Sequence, residues 1–342
     1  MPRSPAPAAA WDEEQLPPAD WGRPRTPALG GTLWLFGAAA AVLVAGRRWV
    51  APGLSAPALD AWSTIFVAVC VQALPFLVFG VALSAAITAF VPARFWTRVL
   101  PRRPGSAVPV AGALGAVLPG CECASVPVAG GLMARGVAPA AALTFLLAAP
   151  AVNPVVLAAT LVAFPGRPEM AAARFAASLV TAVAAGWAWL LFGKGEWLRV
   201  PHRRPAEGAA RWTAFRDAMT HDIMHAGGFL VVGALAAATI SVLVPPEWVT
   251  GVGGSAPASI LVLAFLAVLM SICSEADAFV AASLTGFSPT AKLVFLVVGP
   301  MVDLKLIALQ TGFFGRSFAV RFVPLTFVLA VACGTAAGGV LL

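Results

Sequence analysis

Apolar runs long enough to cross a lipid bilayer recur through most of this sequence. The 342 residues are 60% hydrophobic and 11% charged, whereas soluble domains are roughly half apolar and about a quarter charged. A helix needs about 20 apolar residues to cross the hydrocarbon core of a membrane. We therefore predict an all-α polytopic membrane protein with about 8–10 transmembrane segments.

Basic residues concentrate in short loops and predict how the chain is oriented. Arginines cluster in the segments 92–106 and 194–225. Cytoplasmic loops are enriched in Lys and Arg, so we expect both segments in the cytoplasm. The net charge of +7 is explained in this way and does not indicate nucleic-acid binding. We predict a multi-pass protein of the bacterial inner membrane with a cytoplasmic N-terminus. Its expected partners are the lipid bilayer and a transported small solute, and a homo-oligomer is left open.

Changes in composition divide the chain into five predicted parts. Residues 1–29 are rich in Pro and Ala, which is typical of a disordered tail, here cytoplasmic. Residues 30–57 are expected to form a first transmembrane helix and its loop. Two membrane repeats are expected at 58–193 and 226–342. The basic segment 194–225 between them is predicted to be a cytoplasmic linker with an amphipathic helix.

An internal repeat relates residues 123–164 to residues 273–314 without a gap. The alignment superposes Cys123 on Cys273, and it also superposes matching Gly and Pro residues. If both basic segments are cytoplasmic, the chain between them crosses the membrane an even number of times. The segment 107–134 must then enter and leave the membrane on the same side. The two copies are then inverted. Inverted repeats with broken or re-entrant helices at their interface are typical of secondary transporters, which bind substrate near the membrane midplane.

Thiols and polar side chains lie at the breaks of the two repeats, where a substrate would bind. Cys121 and Cys123 flank the glutamate of "PGCECASVP", and Cys273 is the repeat partner of Cys123. Thiolates select soft ions such as Cu(I) and Zn(II), and they also bind trivalent arsenic. Asn153 and Asp303 occupy matching positions after a proline in each repeat. We predict that these five residues bind substrate, with the three sulfurs binding a soft metal or metalloid. The alternative is that the cysteines are small packing residues.

Ionisable residues within the apolar runs form a second group of candidates. Glu122, Glu275, Asp277 and Lys305 lie in or beside these runs. Charges at such depth are costly and are candidates for proton coupling. The alternative is a set of structural ion pairs that fix helix packing. Asp303 and Lys305 are two residues apart, so on a helix they would face different partners.

The segment "DAMTHDIMH" spaces Asp217, His221 and His225 at one-turn intervals. Such spacing can bind a metal on one helix face. The segment leads from the basic linker into an apolar run. We therefore favour an amphipathic helix at the membrane surface over a metal site.

Motifs for nucleotide binding, haem attachment and nucleophilic hydrolysis are absent. The sequence contains no G-x-x-x-x-G-K-[ST], no C-x-x-C-H and no G-x-S-x-G. We predict no cofactor and no enzymatic activity, and we expect a gradient or a partner protein to supply the driving force. A membrane thiol oxidoreductase using Cys121 and Cys123 is disfavoured, because no second redox pair is visible and the cytoplasm is reducing.

Three blocks resemble a known family, the bacterial predicted permeases that include the organoarsenical efflux permease ArsP. They are "GCECASVPVAGGLMARGVAPAAALTFLLAAPAVNPVVLAAT", "CSEADAFVAASL" and "GPMVDLK". The resemblance covers about residues 60–340 and implies a multi-span inner-membrane permease. The characterised member exports trivalent methylated or aromatic arsenicals. By this resemblance, the cysteines that bind arsenic in such transporters correspond to Cys121, Cys123 and Cys273 of this sequence.

The combined prediction is a secondary transporter that exports a soft metal or metalloid species, such as a trivalent organoarsenical, through a thiol-containing site at the midplane. Two alternatives stay open. One is a permease for an unrelated solute that uses the buried carboxylates. The other is a structural or assembly subunit whose polar groups only pack.

Overall fold

The computed structural model describes residues 56–91, 95, 101, 103–116, 122–199, 211–243, 256–284 and 286–342. The chain divides into two compact units, Met1–Ser55 and Ala56–Leu342, and the described residues all belong to the second. The predicted tail, nearly all of the predicted first helix and Cys121 therefore lie outside the described residues.

Helices account for nearly all of the described residues, and those residues contain no strand. In chain order the α-helices are α1 (Ala56–Phe90), α2 (Pro104–Gly115), α3 (Glu122–Ala134), α4 (Pro139–Ala151), α5 (Pro154–Ala163), α6 (Pro168–Phe192), α7 (Arg211–Leu243), α8 (Ala256–Met270), α9 (Asp277–Ser283), α10 (Pro289–Val298), α11 (Leu304–Phe314) and α12 (Arg316–Leu341). A short 3-10 helix, Gly195–Trp197, follows α6. Helix α7 continues without a break through position 225, the predicted end of the linker.

Among the described residues, five helical segments are long and apolar enough to cross a membrane. They are Leu59–Phe90, Pro139–Ala163, Pro168–Phe192, Phe215–Thr239 and Arg316–Leu341. Shorter apolar helices accompany them. Large apolar side chains such as Val71, Leu191 and Val328 are exposed on the outer faces of the spans, which suits contact with lipid. The protein is an all-α polytopic membrane protein, and this prediction is confirmed.

Proline and capping residues fix where several helices begin. Helices α2, α4, α5, α6 and α10 have Pro in the first turn, where its fixed φ suits the helix and its missing N–H costs little. The side chains of Asn153, Ser288 and Asp303 accept hydrogen bonds from backbone N–H groups at the starts of α5, α10 and α11. Each cap satisfies an amide that has no partner within its helix.

Three apolar runs are broken into two helices each. The run 137–164 separates into α4 and α5 at Val152 and Asn153, and the run 290–314 separates into α10 and α11 after Gly299. Both interruptions were predicted from the matching prolines. The run 257–285 separates into α8 and α9, and Ser271 in this break has a φ of 47°, a strained value for a residue other than glycine. Its hydroxyl accepts a hydrogen bond from Leu304 N–H at 3.0 Å, so two of the breaks lie side by side.

The helices follow the internal repeat. A shift of 150 residues brings the start of α4 onto that of α10 and the start of α5 onto that of α11. Helix α4 packs on α2 and α6, as α10 packs on α8 and α12. The two halves are joined by the packing of α1 on α7 and of α6 on α12. The halves also cross, because α3 contacts α11 and α5 contacts α9. The site described below lies at these crossed contacts.

Glycines allow two close helix approaches near the site. A Cβ on Gly80 of α1 would overlap the backbone of Ala124 of α3. A Cβ on Gly233 of α7 would lie 2.8 Å from the Cα of Lys305 of α11. Both helix pairs therefore approach at a distance that only glycine permits.

Candidate substrate site

A buried ion pair joins α3 to α11. The Lys305 Nζ lies 2.9 Å from Glu122 Oε1 and 3.4 Å from Asp303 Oδ2. All three side chains are at most 1% exposed. Glu122 is the first residue of α3 and Lys305 is the second residue of α11. The pair therefore links the first half of the chain to the second with a charge-assisted hydrogen bond.

The prediction that Asp303 and Lys305 do not face each other is wrong, whereas the distant partner expected for Lys305 is present as Glu122. Asp303 has extended backbone, with φ −139° and ψ 169°, and it precedes α11 as its N-cap. Helical spacing therefore does not apply between the two residues. One carboxylate oxygen of Asp303 accepts a hydrogen bond from Leu306 N–H, while the other faces the ammonium of Lys305. The cap orients the carboxylate that Lys305 binds.

A second buried cation, Arg174 of α6, binds three groups. Its Nη1 donates a hydrogen bond to Thr160 Oγ1 at 2.8 Å, and its Nη2 donates to the Ser274 carbonyl at 2.9 Å. The Nη2 also lies 3.7 Å from Asp277 Oδ2, and the two charged side chains are 0% and 3% exposed. Thr160 lies on α5 and Ser274 lies in the break before α9. Arg174 therefore ties the broken segment of the second half to the first half.

The two sets of buried charges form one cluster, because Asp277 also interacts electrostatically with Glu122, Asp303 and Lys305. We call its buried charged residues the central cluster: Glu122, Arg174, Asp277, Asp303 and Lys305. Three carboxylates face two cations, so the cluster carries an excess of one negative charge when every group is ionised. Unbalanced charge at this depth is costly and marks a functional site by default.

Three carboxylate oxygens of the central cluster have no hydrogen-bond partner within the described part of the chain. They are Glu122 Oε2, Asp277 Oδ2 and Asp303 Oδ2. Buried carboxylate oxygens are normally hydrogen-bonded. A Cβ on Gly299 would lie 2.7 Å from Asp277 Oδ2, so glycine at that position gives the carboxylate room. Because they accept no hydrogen bond from the described residues, these oxygens are the candidate positions at which a proton or a cargo group could bind.

Two thiols converge on the central cluster. Cys123 follows Glu122 in α3, and Cys273 lies in the break before α9; their exposed fractions are 0% and 2%. Both thiols interact electrostatically with the ammonium of Lys305. A nearby cation favours the thiolate, which is the nucleophilic and metal-binding form of cysteine. Cys70 and Cys333 lie elsewhere, half-buried on α1 and α12.

Two further predicted site residues border the central cluster or its supporting helices. Glu275 lies in the break before α9, is partly exposed and interacts electrostatically with the central cluster. Asn153 is buried and caps α5. Its Oδ1 accepts a hydrogen bond from Val156 N–H at 2.9 Å, and its Nδ2 donates to the Ala149 carbonyl at 3.0 Å. Asn153 thus fixes the start of the helix that carries Thr160.

Arg174 is the site residue that the predictions from sequence did not include. An arginine inside the apolar span Pro168–Phe192 is a signal in itself, because charges within spans are rare and functional. Its acceptors give no local signal. Thr160 lies 14 residues away along the chain, and Ser274 lies 100 residues away.

The described residues contain no group of three or more His, Cys, Asp and Glu side chains that could hold a metal ion. In the segment "DAMTHDIMH", Asp217 and His221 are exposed, and the side chain of His225 lies outside the described residues. The candidate site thus combines two buried thiols with a buried charged cluster between two halves of a membrane protein. Such a site can bind a soft or charged solute and release it again.

Residues 58–339 match the protein family described as "Predicted permease", of the ArsP type. The chain belongs to this family. The match extends from α1 to α12 and therefore includes both halves and every residue of the central cluster. The protein is a membrane permease.

Two relatives of the permease are similar over most of their length. The UPF0718 protein YcgR of Bacillus subtilis (strain 168) is 30% identical over 277 residues, which are 79% of this chain and 93% of the relative. A protein of Streptococcus mutans named as a subunit of a two-component membrane permease complex is 29% identical over 283 residues, 78% of this chain and 91% of the relative. No solved structure matches the chain.

Proposed function

We propose that this permease is a secondary transporter that exports a soft metal or metalloid species, with trivalent organoarsenicals as the favoured class. In this proposal the cargo binds the thiols of Cys123 and Cys273. One observation carries the proposal: these two buried cysteines come from different halves of the chain and both interact electrostatically with the buried ammonium of Lys305. A site of this kind forms and opens as the two halves move relative to each other.

The chemistry of organic arsenic(III) suits two thiols. Methylarsenite, CH₃As(OH)₂, condenses with two thiols: two As–S bonds form, two As–O bonds break and two water molecules leave. Exchange with other thiols reverses this reaction without oxidation or reduction, so the cargo can be released. Cys121, immediately before Glu122, would supply the third thiol that inorganic arsenite requires; it lies outside the described residues.

The central cluster supplies the coupling groups in this proposal. Glu122 and Asp277, with Glu275 at the edge, take up and release protons, and Lys305 balances their charge. The buried carboxylate oxygens that accept no hydrogen bond within the described residues support this assignment. Asp303 lines the cargo site beside Lys305, and Asn153 is assigned the equivalent place in the other half.

We infer that the two halves are inverted repeats and that the permease works by alternating access in the bacterial inner membrane. The matching helix starts and the matching helix contacts support the repeat. The crossed contacts of α3 with α11 and of α5 with α9 support a site between the halves. Transporters built from inverted repeats bind substrate at such an interface. The basic segments predict a cytoplasmic N-terminus.

A second candidate function is a subunit of a two-component permease, and the name of the Streptococcus mutans relative favours it. In that case the chain requires a partner protein for transport. Co-expression with a membrane protein encoded beside the chain would then produce transport that the chain alone does not produce.

A resistance and accumulation assay tests the proposed function. Metalloid-sensitive bacteria that express the permease are challenged with methylarsenite, arsenite, Cu and Zn, and the cell content of each element is measured. We expect wild type to lower the content of methylarsenite arsenic. The double variant C123S/C273S should lose this effect, whereas C70S/C333S should retain it because those cysteines lie outside the site.

Two results would refute the proposal. Export by C123S/C273S equal to wild type at matched expression would exclude a thiol site. It would favour an unrelated solute bound by the carboxylates. No protection by wild type against any of the four species would exclude soft-metal export itself.

A further inference from the structure

A small, mostly apolar crevice lies toward the other end of the helix pair that holds the central cluster. It is lined by Ser84 and Thr88 of α1, by α3 between residues 127 and 134, by Asp222 of α7 and by Phe313 of α11. Its cavity volume is about 10 Å³, which is room for about one water molecule. Eight residues of α11 separate Phe313 from Lys305, which corresponds to about 12 Å along the helix. The crevice and the central cluster therefore share two helices.

Asp222 is the ionisable residue that lines this crevice. Its side chain is 9% exposed, although it lies seven residues inside the span Phe215–Thr239. Carboxylates at such positions are costly and typically belong to ion or proton pathways. Ser84 and Thr88 add hydroxyl groups to the same crevice, and the Thr88 hydroxyl donates a hydrogen bond to the Ser84 carbonyl at 2.9 Å.

His221 is the exposed neighbour of this buried acid. Its Nδ1 lies 3.7 Å from Asp222 Oδ1, and its side chain is 59% exposed. Imidazole is the side chain that gains and loses a proton near neutral pH. An exposed imidazole thus lies 3.7 Å from a buried carboxylate at a small crevice.

We propose that His221 and Asp222 form the site at which the permease exchanges protons with the solution on one side of the membrane. A proton from water binds the imidazole of His221 and then moves to the carboxylate of Asp222, which leaves the imidazole neutral. The reverse sequence releases the proton. This inference rests on the proposed function, in which proton movement drives export.

The location of the crevice fits a site of proton release. Asp222 lies in the first half of α7 and within the basic segment 194–225, which charge bias predicts to be cytoplasmic. An exporter driven by inward proton movement releases its protons to the cytoplasm. Helices α3 and α11 then connect the crevice, where protons are released, to the pair of Glu122 and Lys305.

The described helices that pack against α7 carry few charged side chains. On α7 itself, Arg216 and Asp217 are exposed and lie at least one turn closer to the helix start. Of the helices that pack against α7, α8 carries no charge, α1 carries only Asp60 near its far end, and α3 and α11 carry only the Glu122–Lys305 pair. The half-buried Arg135 follows α3 directly, beside the crevice.

Reconstituted liposomes with an internal pH dye test this site. Wild type, D222N, H221Q and D217N are compared for methylarsenite transport driven by a pH gradient. They are also compared for methylarsenite exchange at equal pH, which needs no net proton movement. We expect D222N to lose about tenfold or more of the driven rate and to keep exchange. The control D217N, an exposed acid on the same helix, should match wild type. H221Q should be slow in dilute buffer and recover when imidazole is added.

A driven rate for D222N equal to that of D217N would overturn the inference while leaving the proposed function intact. Wild-type transport that a sodium gradient drives and a pH gradient does not would overturn both the inference and the proton coupling of the proposed function, while leaving arsenical export itself in place.

If wild type neither transports nor exchanges methylarsenite, the proposed function fails, and a second measurement decides the proton site. Dicyclohexylcarbodiimide modifies protonated carboxyl groups in apolar surroundings. Labelling of Asp222 that falls as the pH rises, and that is absent from D222N, supports proton exchange at this residue. The absence of labelling at every pH overturns it.

Discussion

Replacing Lys305 with methionine is the change that we expect to destabilise the central cluster most. The variant keeps a long side chain but leaves Glu122 and Asp303 without their shared cation. At an effective dielectric constant of about 20, the contacts at 2.9 and 3.4 Å correspond to about 6 and about 5 kcal/mol of attraction. Desolvation offsets most of this attraction in the native protein. Removal of one partner from a buried pair costs about 3–5 kcal/mol, and we expect K305M to fall in this range.

The charge balance predicts an order among three variants. E122Q should be the mildest, because Lys305 keeps Asp303 and the excess negative charge is removed. K305M should be the most severe, because it raises that excess to two. The double variant E122Q/K305M should be more stable than K305M, since it restores an excess of one. It should be less stable than E122Q, since Asp303 has lost its cation.

Thermal unfolding of the purified protein in detergent, followed by tryptophan fluorescence, measures this order as melting temperatures. Lys292→Met is the matched control, because Lys292 is half-buried on α10 and belongs to no pair of the central cluster. A melting temperature of K305M equal to that of K292M would refute the reasoning. So would a double variant that melts below K305M.

The remaining predictions concern helix approach and the second cation. Gly233→Ala should cost about 1–3 kcal/mol, because its Cβ would lie 2.8 Å from the Cα of Lys305, whereas Gly228→Ala on the same helix meets nothing within 4 Å. The melting temperatures of the two variants check this difference, and equal values would contradict it. Arg174→Lys keeps the charge but cannot reproduce both guanidinium hydrogen bonds, one of them to Ser274. It should therefore lower the export rate at matched expression, and an unchanged rate would contradict the role given to this arginine.

Local patterns predicted the helical class and the positions of two breaks. Apolar length predicts spans because a membrane excludes unpaired backbone groups. Pro150 and Pro300 marked the interruptions because proline ends a helix and leaves polar groups to be capped. The repeat register also predicted that Cys123 and Cys273 are equivalent, and both thiols interact electrostatically with one ammonium.

The partners within the site could not be predicted in the same way. Glu122 and Lys305 are 183 residues apart, and their contact depends on how α3 and α11 cross. The pairing of Asp303 with Lys305 was excluded in error because helical geometry was applied across a break. No local pattern encodes these long-range contacts, since they arise from the packing of helices that are distant in sequence.

The stoichiometry of arsenical binding to the purified permease tests the central claim most directly. A variant that lacks Cys70, Cys121 and Cys333 is incubated with phenylarsine oxide and excess glutathione, and its intact mass is measured. The account predicts one arsenical per protein, held by both remaining thiols, and none after Cys123→Ser or Cys273→Ser is added. No binding to the parent variant, or equal binding when only one of the two cysteines is left, would show that the thiols of the two halves do not form one site.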